Sequence, residues 1–95
     1  MELTKEQLDE IEEMAAAFMP PSEIAILMYI SPEYQDVFCE ICKSHKKTDI
    51  YAAYQRGKLK TKLDLRKTVI KLAKAGSPAA EPLADKYLLE QLAKE

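Results

Sequence analysis

The stretch that decides the fold is 49-DIYAAYQRGKLKTKLDLRKTVIKLAKAG-76, because it has the pattern of one long amphipathic helix. Successive residues of an α-helix are rotated by about 100°, and this spacing separates two faces of the stretch. Five cations fall within a sector of roughly 60°: Arg56, Lys60, Lys67, Lys71 and Lys74. The opposite side is apolar and contains Tyr51, Tyr54, Leu65, Val69 and Leu72, with Leu59, Leu63 and Ile70 at its margins. The pattern therefore predicts a helix with one narrow cationic edge.

The charges divide the chain into blocks, although the net charge of its 95 residues is only −2. Residues 1–40 contain ten acidic residues and one lysine, and residues 41–76 contain eleven basic and two acidic residues. A strongly cationic surface on a mildly acidic protein is typical of proteins that bind nucleic acid or an acidic partner. The length, with 47% hydrophobic and 32% charged residues, indicates a single small globular domain.

Hydrophobic periodicity and capping residues predict an all-α fold of about five helices. The expected bounds are Lys5 to Phe18, Glu23 to Tyr29, Pro32 to Ser44, Asp49 to Gly76, and Ser77 to Ala93. Thr4 and Gln7 have the spacing of a capping box, Ser22 precedes the second helix, and Thr48 or Asp49 precedes the fourth. Ser-Pro pairs open the third and fifth helices. We expect a single helical domain with one part at 1–46 and another at 47–95.

The first three helices have the order of a helix-turn-helix unit, in which the first helix braces the other two. The residues expected to face the core are Leu8, Ile11, Met14 and Phe18, then Ile24, Leu27 and Met28, then Tyr34, Val37, Phe38, Ile41 and Cys42. Gly57 lies inside the fourth helix, where glycine costs about 1 kcal/mol relative to alanine. Its position indicates either a bend or the close approach of another backbone.

Two kinds of DNA contact are predicted. The phosphate contacts are expected from cations: Lys43, Lys46, Lys47, Arg56, Lys60, Lys67 and Lys71. Gln35, in the first turn of the third helix, is the best candidate for contact with a base edge. The same helix also carries three carboxylates that would repel phosphates: Glu33, Asp36 and Glu40. The sequence pattern therefore supports a helix-turn-helix fold more strongly than it supports direct readout of the base sequence.

Enzymatic and metal chemistry are not indicated. Cys39, Cys42 and His45 are spaced like part of a metal motif, but the second pair of ligands is missing. We interpret the cysteines as structural thiols and His45 as a solvated residue. The chain has no nucleophile constellation, phosphate loop or dinucleotide motif, so we expect no catalysis, cofactor or metal. It also lacks a signal peptide and an apolar run that could cross a bilayer, which predicts a cytoplasmic protein without membrane contact.

Three sequence elements occur in the order known from one family. They are Ser22–Ala25 (SEIA), Tyr54–Lys58 (YQRGK) and Ala73–Ala79 (AKAGSPA). The series resembles small terminase subunits and related helix-turn-helix proteins of phages and prophages. The resemblance implies an α-helical protein in a bacterial host cell that recognises viral DNA and delivers it to the large terminase, the packaging ATPase. It also implies a homo-oligomeric ring built from the central helices, with Leu59, Leu63, Leu65 and Val69 between subunits.

The alternative function is an oligomerising interaction module that does not bind nucleic acid. The acidic first helix of one chain would then meet the basic fourth helix of another, head to tail or in a ring. The division of charge between residues 1–40 and 41–76 is the observation that motivates this alternative.

Overall fold

A computed structural model describes residues 1–44 and 46–95 of the chain. The described chain is helical, with five α-helices: α1 (Lys5–Ala16), α2 (Pro21–Leu27), α3 (Pro32–Lys43), α4 (Asp49–Lys74) and α5 (Glu81–Lys94). The predicted all-α fold of about five helices is confirmed, and no strand occurs in the part that is described. None of these helices combines the length and apolarity needed to cross a membrane.

The chain forms two compact units, Met1–Thr61 and Lys62–Glu95. The division lies within α4, whereas the sequence indicated a division near residues 46 and 47. Packing explains the difference. Ile50, Ala53 and Tyr54, all in the first part of α4, are buried in one cluster with residues of α1, α2 and α3, so this part of α4 belongs to the first unit.

The core of the first unit is small and closed. Ile11, Ile24, Phe38 and Cys42 have no exposed surface, and Ala15 and Ala25 fill the space between the helices. Burial of one large aliphatic or aromatic side chain stabilises a fold by about 1.5–3 kcal/mol. A few such residues from each helix therefore hold α1, α2, α3 and the start of α4 together.

Four residues predicted to face this core are exposed instead. The exposed fractions of Phe18, Leu27, Tyr34 and Val37 are 54%, 53%, 54% and 47%. Phe18 is exposed because α1 ends at Ala16, before this residue, and the other three because each helix contacts its neighbours along a face narrower than its apolar stripe. On α3, the residues that pack against the other helices are Phe38 and Cys42.

Three helices end in the same backbone arrangement. The second residue after each helix end has a positive φ: 60° at Phe18, 58° at Tyr29 and 90° at Gly76. The next amide donates to a carbonyl five positions earlier (Met19 to Met14, Ile30 to Ala25, Ser77 to Leu72). These bonds define Schellman caps, and the one at Gly76 lies at the predicted end of the fourth helix. Glycine suits this left-handed conformation, but aromatic residues are disfavoured in it.

Two predicted helix starts are confirmed by hydrogen bonds. The Thr4 hydroxyl accepts from the Gln7 amide at 3.2 Å, and the Gln7 side chain accepts from the Thr4 amide at 2.8 Å. The Thr48 hydroxyl accepts from the Tyr51 amide at 3.1 Å, so Thr48 caps α4. Each cap satisfies amides that the first helical turn leaves without a partner.

Two other starts differ from the prediction. α2 begins at Pro21 with Pro20 as its cap residue, so Ser22 lies inside the helix. Residues 78–80 form a turn, and α5 begins only at Glu81. Pro82 then occupies the first turn of α5, where proline is tolerated because its missing amide would have no helical partner.

The second unit has almost no buried core. Of residues 62–95, Ala80 alone is buried. Seven leucines of this unit are exposed: Leu63, Leu65, Leu72, Leu83, Leu88, Leu89 and Leu92. Chains shorter than about 40 residues rarely bury enough surface to be stable by themselves. The apolar surface of this unit is therefore available to another molecule.

Candidate nucleic-acid interface

Three exposed lysines lie at the end of α3 and in the connection to α4. Lys43 is in the last turn of α3, and Lys46 and Lys47 follow it. No carboxylate within the described residues forms an ion pair with any of the three. Their ammonium groups are therefore free to neutralise phosphates.

Arg56 and Lys60 belong to the same unit but are occupied by a carboxylate of the chain itself. Lys60 Nζ lies 2.6 Å from Glu12 Oε2, and Arg56 Nη1 lies 3.7 Å from Glu12 Oε1. The hydrogen bond from Lys60, with the positive charge of both cations, holds the pKa of Glu12 below its ordinary value. Both cations remain mostly exposed. A phosphate that approaches them must compete with Glu12 for their positive charge.

Gly57 explains why Glu12 lies between these two cations. A Cβ at Gly57 would overlap the Glu12 carbonyl oxygen and would lie 2.9 Å from Ala15 Cβ. The backbone of α1 therefore rests directly on α4 at this glycine, which confirms close approach as the reason for Gly57. One turn later, the Thr61 hydroxyl donates to the Ala16 carbonyl at 2.5 Å. This crossing places the Glu12 side chain above the turn that begins at Arg56.

The second unit carries another group of exposed cations on α4. Lys67, Lys71 and Lys74 recur at helical spacing, and no ion pair to them occurs in the described residues. Arg66 points elsewhere: its Nη2 donates to Glu90 Oε2 at 2.6 Å, and its guanidinium lies 4.2 Å from the centre of the Tyr87 ring. Arg66 therefore attaches α4 to α5 within this unit.

The Gln35 side chain forms a hydrogen bond within the chain. Its Nε2 donates to the carbonyl of Ile30 at 3.0 Å, and its side chain is half-buried. The bond ties the first turn of α3 to the turn that precedes it. Contact between Gln35 and a base edge stays a prediction, and the second N–H and the oxygen of its amide are not used by this bond.

The cysteines behave as parts of the core rather than as a reactive pair. Cys42 is fully buried, and burial raises the pKa of its thiol to about 12. Cys39 is half-buried. His45, the third residue of the candidate metal motif, lies outside the described residues. Within the residues that are described, no group of three potential ligands is close enough to hold a metal ion.

Comparison with known proteins gives no relative for this chain: no family model, curated protein or solved structure matches it.

The sequence alone did not reveal the pairing of Glu12 with Lys60, which are 48 residues apart. Gly57 was the one available signal. A glycine in a helix interior indicates either a bend or the close approach of another backbone. The small residues Ala15 and Ala16 near the end of α1 are suited to such a contact, but the sequence does not state which helix supplies it.

Proposed function

We propose that the chain is a non-catalytic adaptor that binds duplex DNA mainly through its phosphates. The observation that supports this proposal most is a set of five exposed lysines without a carboxylate partner in the described residues: Lys43, Lys46, Lys47, Lys67 and Lys71. Lysines of this kind release counterions from DNA and gain affinity from that release. The acidic start of α3 favours binding that depends little on base sequence.

The finer proposal is a small terminase subunit of a phage or prophage, which passes DNA to the large packaging ATPase. It is supported by the order of the SEIA, YQRGK and AKAGSPA elements and by the position of α2 and α3 as a helix-turn-helix pair. A neighbouring gene for a packaging ATPase, and co-elution of its product with this chain, are the expected observations. Failure of the two proteins to associate with or without DNA would contradict this finer proposal.

The DNA proposal is tested by fluorescence anisotropy of a labelled duplex at several salt concentrations. The double variant Lys46→Glu/Lys47→Glu is expected to bind more weakly, and its salt dependence to be shallower by roughly 0.9 in slope for each phosphate that the variant no longer neutralises. Lys5→Glu/Lys94→Glu is the matched control, since it makes the same charge change at two other exposed lysines. Equal reductions of affinity in both variants, or no binding by the wild type at low salt, would contradict the proposal.

Charge reversal at Lys67 and Lys71 tests the second unit in the same assay. These two lysines are better targets than Lys60, because Lys60→Glu would also place two carboxylates together at Glu12. A variant of Lys60 would therefore change folding and DNA binding at once. Lys67→Glu/Lys71→Glu is expected to weaken DNA binding without that complication.

The second candidate function is an oligomerising interaction module, and the exposed leucines of Lys62–Glu95 favour it. A second copy of the chain could cover them by helix–helix packing. The exchange of acidic and basic helices between chains is disfavoured, since Glu12 of α1 already pairs with Arg56 and Lys60 in its own chain. Light scattering at low and high salt tests self-association, and a monomer at every salt concentration would contradict it.

A further inference from the structure

The exposed side of α3 carries two parallel stripes. Tyr34, Val37 and Ile41 follow one another at helical spacing, and the first two are about half-exposed. One position before each of them lies a carboxylate: Glu33, Asp36 and Glu40. Residues three or four apart in a helix lie on the same side. An apolar stripe therefore runs beside an acidic stripe along the length of α3, and we call these six residues the α3 face.

The acidic stripe has few cations near it in sequence, and the nearest is Lys43, one turn after Glu40. Residues 6–42 contain nine carboxylates and no lysine or arginine. Within the described residues, no ion pair involves Glu33, Asp36 or Glu40. All three are exposed. A carboxylate row with these properties repels phosphates and attracts cationic side chains.

A depression of about 520 Å³ lies along the same helix. Val37 and Ile41 supply apolar lining, Asp36 and Glu40 supply carboxylates, and Lys46 lies at one end. A depression that is apolar with acidic groups beside it can receive an aliphatic side chain whose neighbours are cationic. Its position joins the two stripes into one surface.

Tyr29 adds an exposed aromatic residue just before α3. Its side chain is 94% exposed although its φ is 58°, a left-handed conformation that glycine adopts at lower cost. Tyrosine at this position therefore contributes little to the core and adds strain to the turn. Exposed tyrosines are common anchors of protein interfaces, so the tyrosine is explained if a partner covers it.

We propose that the α3 face, with Tyr29 at its N-terminal end, binds a cationic amphipathic helix of a partner protein. The leucine-type residues of that helix would lie along Tyr34, Val37 and Ile41, and its lysines or arginines would meet Glu33, Asp36 and Glu40. This is the helix-in-groove mode of recognition, with anchors at successive turns. The proposal does not require DNA binding, although Lys46, which is assigned to phosphate, also lines the depression.

The probe is a labelled synthetic helix with leucines on one side and lysines on the other, titrated with the full chain. A matched peptide has glutamate in place of every lysine. The lysine peptide is expected to bind and the glutamate peptide to bind far more weakly. Val37→Ser, which removes apolar surface without adding charge, and Glu40→Lys, which reverses the charge, are each expected to weaken binding roughly tenfold. Glu13→Lys is the control, since it makes the same charge change on α1.

Tyr29→Gly separates binding from folding. It is expected to weaken peptide binding while the melting temperature stays the same or rises, because glycine relieves the left-handed backbone. Equal reductions of affinity for Glu40→Lys and Glu13→Lys would show general charge attraction and overturn the proposal. It would also be overturned if Val37→Ser dissociated a homo-oligomer, or if it reduced DNA binding, since another occupant would then cover the face.

Discussion

Lys60 Nζ lies 2.6 Å from Glu12 Oε2, so a cation predicted to hold phosphate is held by a carboxylate of its own unit. Glu12 also lies 3.7 Å from Arg56. A carboxylate between two cations competes with any phosphate that approaches them. Glu12 is therefore expected to limit DNA affinity within residues 1–61, and the effect can be measured by removing its charge.

Glu12→Gln is expected to increase DNA affinity at low salt by severalfold and to steepen the salt dependence, because Arg56 and Lys60 become available to phosphates. Anisotropy titrations of a labelled duplex at two salt concentrations provide the measurement. Glu13→Gln makes the same charge change on an exposed neighbour that has no cationic partner in the described residues. If the two variants gained affinity equally, net charge rather than release of the pair would be responsible.

Acid is expected to destabilise the first unit through Glu12. The hydrogen bond from Lys60 lowers the pKa of Glu12 in the folded chain below the ordinary 4.5. A lowered pKa contributes stability that is present above the ordinary value and is lost as the pH falls through the folded value. The urea midpoint should therefore fall less on acidification in Glu12→Gln than in the wild type. An identical pH dependence in both proteins would show that the pair does not stabilise the fold.

Gly57→Ala is expected to destabilise the chain, because the added Cβ would overlap the carbonyl of Glu12 and crowd Ala15. Overpacking of this kind costs about 1–3 kcal/mol, which exceeds the roughly 1 kcal/mol that alanine gains over glycine in a helix. Urea unfolding followed by circular dichroism gives the free energy of unfolding. A more stable variant would show that α1 does not lie against α4 at this turn.

Leu88→Glu is expected to reduce self-association through the second unit. Leu88 is 53% exposed on α5. Burying a glutamate there against a second copy of the chain would be unfavourable, whereas burying a leucine stabilises the contact. Multi-angle light scattering should show a smaller mass than for the wild type. Lys94→Glu, an exposed change near the end of α5, controls for added negative charge and should leave the mass unchanged. If the wild type and Leu88→Glu had the same mass in solution, this surface would not be a contact between copies of the chain.

Cys42 is expected to resist alkylation in the folded chain. Burial raises the pKa of its thiol to about 12, so the reactive thiolate is scarce at pH 8 and the sulfur is also inaccessible. Iodoacetamide should modify the half-buried Cys39 first and Cys42 only after urea is added. Mass spectrometry of the two sites gives their rates. Comparable rates without urea would mean that the core around Cys42 opens readily.

The short-range features of this fold could be predicted from the sequence, because the residues that form them are close together in the chain. The Thr4–Gln7 capping box, the Thr48 cap and the Gly76 end all depend on residues within five positions of one another. Burial was harder to predict, because periodicity identifies the apolar stripe of a helix but not how much of it a neighbour covers. Tyr34 and Val37 lie about one helical turn apart, as do Phe38 and Cys42, yet only Phe38 and Cys42 are buried.

The candidate site, too, has features that the sequence determined and features that depend on tertiary contacts. By itself, the sequence determined that the chain is helical and that its lysines concentrate between residues 43 and 74, because composition and helical spacing are local properties. Only the tertiary structure decided which cations are free. An ion pair needs two side chains within a few ångströms, and it was the contact of α1 with α4 at Gly57 that brought Glu12 to Lys60.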